Sequence, residues 1–99
     1  MDFWIERGTL MTWIDSRRIQ SRVIARDVID GDLNERTGQW LVTRRTGQVE
    51  ALDGKLCIPV RRFSTDGVRA RWNGDMVQVQ ESDNRTRLYD SRGFLQRVL

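Results

Sequence analysis

Asn73-Gly74 stands between two runs that alternate apolar and polar residues, Val68–Trp72 and Asp75–Val79. An Asn-Gly pair flanked by such runs is the strongest short-range signal for a β-hairpin, because both residues tolerate the backbone angles of a tight turn. It commits this stretch to antiparallel strands. Alternation puts Val68, Ala70, Trp72, Val77 and Val79 on one face and Arg69, Arg71, Met76 and Gln78 on the other.

The same grammar recurs along the chain. Gln39–Thr43 and Gln48–Leu52 flank Arg44-Arg45-Thr46-Gly47. Counted as a four-residue loop, this pairs Val42 with Val49 and Trp40 with Ala51, and places Gly47 where positive φ is needed. Phe3–Glu6 and Leu10–Ile14 flank Arg7-Gly8-Thr9, and Arg87–Tyr89 and Phe94–Val98 flank Asp90-Ser91-Arg92-Gly93. Leu56–Phe63 reads as a further strand with Leu56, Ile58 and Val60 on one side, and Pro59 marks an edge or a bulge. The loop Ser64-Thr65-Asp66-Gly67 then returns to Val68, so the strands on either side of it are expected to be neighbours.

Residues 16–30 admit a helix or a strand. Asp15 could cap a helix and Gly31 could stop it. At 100° per residue, however, Ile19, Val23, Ile24, Val28 and Ile29 scatter around the whole wheel. Ile19, Ser21, Val23 and Ala25 alternate against Arg18, Gln20, Arg22 and Arg26, and β-branched residues favour strands. The segment is read as strand, with Asp30-Gly31 as the next turn.

Eight or nine short strands joined by tight turns predict an all-β, antiparallel meander forming a small barrel or sandwich. Leu, Ile, Val and Phe total 26 of 99 residues, enough for one core, and the chain reads as a single domain over 1–99. The absence of histidine removes Ser-His-Asp and Cys-His chemistry and any His-ligated zinc. A single cysteine, Cys57, excludes an intrachain disulfide, and its apolar neighbours predict a buried, structural thiol. No apolar run approaches the roughly 18 residues of a membrane span, and no secretory signal is legible. The chain is expected to be cytoplasmic, to need no cofactor and to be no enzyme. Asp30, Asp32, Asn34 and Glu35 fail the EF-hand spacing and read as an acidic hairpin loop.

Tyr89-Asp90-Ser91-Arg92-Gly93-Phe94-Leu95 resembles one copy of the YD-type repeat of Rhs-like proteins. The resemblance covers this hairpin alone and has no sister copies in the chain. Thr37-Gly38-Gln39 recurs as Thr46-Gly47-Gln48, and Asp15-Ser16-Arg17 as Asp90-Ser91-Arg92, both as turn chemistry without a sustained period.

Charge supplies the functional lead. The net charge is +3, and residues 36–72 carry seven arginines and Lys55 against Glu50, Asp53 and Asp66. Arg44 and Arg45 sit at a hairpin tip, Arg61 and Arg62 on one strand, and Arg69 and Arg71 on the next. Were those strands neighbours, six guanidiniums would flank one surface, the electrostatic footprint of a phosphate-binding groove. The expected function is nucleic-acid binding through this arginine-rich face. The alternative is a protein-interaction module, such as an assembly subunit or a phage- or mobile-element-type inhibitor of a nucleic-acid-handling machine, in which the same arginines meet an acidic protein surface. Trp40 and Trp72 fall on apolar hairpin faces and read as core. Trp4 points opposite Phe3 and Ile5, and Trp13 opposite Leu10, so either is a candidate exposed aromatic contact. The acidic first third and the basic middle would complement each other between copies, which allows a homo-oligomer.

Overall fold

A computed structural model describes residues 2–99. The described residues form eleven strands and no helix: β1 (Phe3–Glu6), β2 (Thr9–Trp13), β3 (Ser21–Ala25), β4 (Val28–Leu33), β5 (Trp40–Arg44), β6 (Val49–Leu52), β7 (Pro59–Ser64), β8 (Gly67–Asn73), β9 (Met76–Glu81), β10 (Thr86–Tyr89) and β11 (Leu95–Val98). All pairings are antiparallel between consecutive strands, in three open sheets: β1-β2-β3, β4-β5-β6-β7 and β8-β9-β10-β11. The all-β meander is therefore sandwich-like, with no closed barrel among the described residues.

The sheet of β4–β7 is the middle layer, and its strand alternation explains why. Trp40, Val42 and Leu52 pack with Leu10, Ile24, Ala25 and Val28 in one apolar cluster against the β1–β3 sheet. Leu41, Val49 and Ala51 pack with Phe63, Ala70, Val77, Val79 and Tyr89 in a second cluster against the β8–β11 sheet. Every residue of β6 and the first four of β5 are buried, as expected of strands covered on both faces.

Several local expectations need correction. The β5–β6 loop is Arg45-Thr46-Gly47, closed by the Gly47 N–H donating to Arg44 O (2.9 Å) and by the Arg44 N–H donating to Gln48 O (2.7 Å). Three residues in place of four pair Thr43 with Val49 and Val42 with Glu50, so Val42 and Val49 lie on opposite faces. Gly47 does take positive φ, at 96°. The Asn73-Gly74 hairpin has Trp72 opposite Val77 and Ala70 opposite Val79, with the expected faces. A bulge between Gly67 and Arg69 turns Val68 out to solvent instead of into the core.

Residues 21–25 form a strand in which Ala25 is buried as expected, but a bulge beside Leu10 breaks the alternation, so that Ile24 is buried too while Val23 and Ile19 are exposed. Asp30 and Gly31 lie within β4 and do not turn the chain. A Cβ on Gly31 would stand 3.0 Å from Leu10 Cδ2, so glycine here admits the β2 core residue. β7 begins only at Pro59; Leu56 and Ile58 belong to an exposed turn. Most consequentially, β7 and β8 are not paired. β7 is an edge of the middle sheet and β8 an edge of the next, and the loop between them carries the chain from one layer to the other.

The edge of β8 is covered by side chains. Asp30 Oδ2 accepts the Ala70 N–H (3.2 Å) and Asp32 Oδ2 accepts the Trp72 N–H (2.9 Å), while the Asn34 amide donates to Gly74 O (3.2 Å). Asp30, Asp32 and Asn34 are spaced two residues apart and so project to the same side of the chain. The acidic residues read as a loop are thus two members of a strand, aimed at the neighbouring layer.

Candidate functional site

The six expected arginines do not share one surface. Arg44 lies in the middle layer, where its side chain donates to Arg26 O (2.7 Å) and approaches the buried Glu50 carboxylate (3.8 Å). Arg45 sits at the β5–β6 tip, its guanidinium 3.1 Å from where a Cβ on Gly8 would stand. Arg61 and Arg62 are exposed on the β7 edge, where they border a shallow pocket of about 360 Å³ with Glu50 and Arg92. Arg61 Cδ lies 3.2 Å from the position a Cβ would take on Gly93. Its stem is therefore packed against the β10–β11 turn. Glu50 and the Asp90–Arg92 ion pair (3.5 Å) temper the charge of this pocket.

Arg69 and Arg71 stand elsewhere, on the outer face of the β8–β11 sheet. Registration across the four strands aligns Arg69 with Gln80 and Thr86, and Arg71 with Gln78, Leu88 and Arg97. Directly opposed residues project to the same side of a sheet. This face accordingly carries three guanidiniums, two amides and a hydroxyl, and no carboxylate. Its acids are on the other side: Glu81 is buried, where its carboxylate accepts from Ser64 Oγ (2.9 Å), Tyr89 Oη (3.2 Å) and Arg87 Nη1 (3.1 Å). A carboxylate from the middle layer, that of Asp30, holds the Arg71 guanidinium at the β8 edge. Arg69 and Arg97 have no carboxylate partner among the described residues. Arg69, Arg71, Gln78, Gln80 and Thr86 line a shallow depression of about 190 Å³.

Sequence reasoning placed Arg69, Arg71 and Gln78 on one exposed face but missed Gln80, Thr86 and Arg97. The alternation Gln78-Val79-Gln80 was there to extend the row. Adding Arg97 requires the pairing of β10 with β11, whose bulge at Tyr89 obscures the parity.

Trp4 and Trp13 come together on the outer face of the β1–β3 sheet. Their ring centroids are 4.7 Å apart with a 42° tilt. Met11 pairs with both Trp4 and Val23, so all four side chains share that face, each at least partly exposed. The inner face takes Phe3, edge-on to Trp40 (5.4 Å), with Leu10 and Thr12.

Cys57 is half-buried in the turn after β6, at φ 57°, and its Sγ accepts from Arg22 Nη2 (2.7 Å); it is not the strand-buried thiol expected. Among the described residues no three Cys, Asp or Glu side chains gather so as to hold a metal ion. No helix among them is long and apolar enough to cross a membrane.

No protein-family model matches the chain, and no curated protein is similar enough to it in sequence to count as a match.

Proposed function

We propose that the protein is a non-enzymatic β module that binds nucleic acid through the outer face of the β8–β11 sheet. One observation carries this reading: a four-stranded face bearing Arg69, Arg71 and Arg97 with Gln78, Gln80 and Thr86, from which every carboxylate of its own strands is excluded. Arginines at the two margins of a sheet suit a polyanion lying across it, and guanidiniums bind phosphate with two parallel hydrogen bonds. The glutamine amides between them can donate to and accept from base edges or sugar hydroxyls. The interface is therefore narrower than the six-arginine surface expected from sequence, and Arg44, Arg45, Arg61 and Arg62 fall outside it.

The test is fluorescence anisotropy of labelled random single-stranded DNA, duplex DNA and RNA at 50 and 200 mM salt, where phosphate contacts weaken steeply. The wild-type chain should bind at low salt. Arg69→Ala with Arg97→Ala should lower affinity and reduce the salt slope by about one per arginine. No binding of any of the three at low salt overturns the reading.

A second reading has its own observation. The face of Trp4, Met11, Trp13 and Val23 has the aromatic and methionine content of a protein-interface centre. It supports a protein-interaction module, an assembly subunit or inhibitor, and predicts that Trp4→Ala abolishes partner binding with little dependence on salt.

A further inference from the structure

A further concavity lies on neither of these faces. It is a cleft of about 860 Å³ at one end of the β1–β3 and β4–β7 layers. Its sides are β2 and β3 on one hand, and the turns 34–39 and 53–55 on the other. That volume is within the range of about 300–1,000 Å³ typical of small-molecule sites. Its apolar lining is Trp13, Ile14, Ile24, Leu33 and Trp40, and Trp40 is only 2% exposed, so the floor is continuous with the core.

The mouth is held in shape. A Cβ on Gly54 would come within 2.3 Å of Gly38 O, so the two turns touch through their backbones. The Arg22 guanidinium spans the other side, donating to Gly54 O (3.4 Å), Lys55 O (3.2 Å) and Cys57 Sγ (2.7 Å). Arg22 is thus a strut committed to the 53–57 turn, and its positive charge is spent on fixed acceptors.

Two charges of opposite sign remain on that turn. Asp53 Oδ1 accepts the Lys55 N–H (2.6 Å) and the Leu56 N–H (2.9 Å), while its Oδ2 has no donor among the described residues. Lys55, the only lysine of the chain, makes no side-chain hydrogen bond or ion pair among the described residues. A simple anion entering the cleft meets the Asp53 carboxylate, and a simple cation meets Lys55. A group bearing both charges on one carbon can satisfy the mouth, while the Trp- and Ile-lined interior takes an apolar ring.

We propose that this cleft binds a small zwitterion with a planar apolar body, of the chemical class of the free aromatic amino acids, with its carboxylate toward Lys55, its ammonium toward Asp53 and its ring against Ile14, Ile24 and Leu33.

L-Phenylalanine is the probe, because it does not absorb at the red edge of tryptophan excitation and Trp13 and Trp40 both line the site. Titration to about 10 mM should give a saturable change in tryptophan emission, with Kd at or below about 1 mM. Phenylalaninamide, which lacks the carboxylate, and 3-phenylpropionate, which lacks the ammonium, should each bind about tenfold more weakly. Lys55→Gln, at an exposed position that leaves the fold intact, should weaken phenylalanine by a similar factor and leave phenylalaninamide unchanged. The proposal is overturned if wild-type emission does not saturate. It is equally overturned if 3-phenylpropionate or the Lys55→Gln variant matches the parent titration, because the cleft would then be an apolar hollow without head-group recognition.

Discussion

The backbone N–H of Trp72 donates to the side chain of Asp32 at 2.9 Å, joining the exposed ladder edge of one sheet to a strand of another. Asp30 does the same for Ala70. An unpaired strand edge is a template for aggregation, and proteins cover such edges in various ways. Here two carboxylates of β4, placed by simple alternation, take the free N–H groups of β8. Removing one should leave a half-buried donor unsatisfied, at a cost of about 1–3 kcal/mol. Asp32→Ala should lower the urea midpoint accordingly, while Asp32→Asn, which keeps a carbonyl acceptor, should recover most of the loss. Equal midpoints for Asp32→Ala and wild type would show that the contact contributes nothing.

The Glu81 carboxylate predicts a graded series. It is buried and accepts from Ser64, Tyr89 and Arg87, so it ties β7 of the middle layer to β9 and β10 of the next. Tyr89→Phe removes one neutral donor and should cost about 0.5–1.5 kcal/mol. Glu81→Leu leaves Arg87 with Asp83 alone and strands two hydroxyls, and should cost more than twice as much. Chemical denaturation of both variants measures the ratio. Comparable losses for the two would mean that the phenol, not the carboxylate, organises the network.

The hairpins were legible because their signals are local. Asn73-Gly74 located one turn, and Arg7-Gly8 and Asp90–Gly93 located two more, since turn geometry depends on a few adjacent residues. Faces were legible only where loop length was read correctly. One residue too many in the 44–47 loop inverted β6 against β5, and bulges at Val68 and beside Leu10 moved side chains that alternation assigned elsewhere. Sequence order suggested that β7 and β8 were partners, but two residues, Thr65 and Asp66, suffice to take the chain into another layer. That single unseen crossing separates Arg61 and Arg62 from Arg69 and Arg71. The basic face was half visible, because Arg69, Arg71 and Gln78 belong to one hairpin, whereas Arg97 joins them only across three strand pairings.

Gly54 is a position where space, not backbone angle, demands glycine. The carbonyl of Gly38 stands 2.3 Å from where a Cβ would be, and a backbone oxygen cannot swing aside as a flexible side chain would. Gly54→Ala should push the 34–39 and 53–57 turns apart and cost about 1–3 kcal/mol. Thermal unfolding should register this as a drop of roughly 4–8 °C per kcal/mol for a domain of this size. Gly74→Ala, with nothing within 4 Å of its Cβ, isolates the cost of backbone angle alone and is the control for crowding. A Gly54→Ala variant as stable as wild type would mean that the two turns move freely.

Stability should be level through neutrality and fall at both extremes of pH. With no histidine, the chain lacks the side chain that ordinarily titrates between about pH 5 and 8. On the acid side, the Leu56 and Lys55 N–H groups hold the Asp53 carboxyl below its ordinary value, Arg87 does so for Asp83, and the Phe94 N–H does so for Asp90. A carboxyl whose folded pKa is depressed stabilises the fold above its unfolded pKa, and that contribution is lost as pH falls through the folded value. The melting temperature should therefore begin to drop below about pH 4 and keep dropping toward pH 2. Asp83→Asn should make that limb shallower. On the alkaline side, burial, and next the Glu81 charge, push the Tyr89 phenol up. Its protonated form is favoured in the fold, so its contribution is present below about pH 10 and is lost as pH climbs through the raised folded value. Tyr89→Phe should soften the alkaline limb and leave the acid one unchanged. A melting temperature that changes chiefly near pH 6–7, or an acid limb unaltered in Asp83→Asn, would contradict this assignment of the titrating groups.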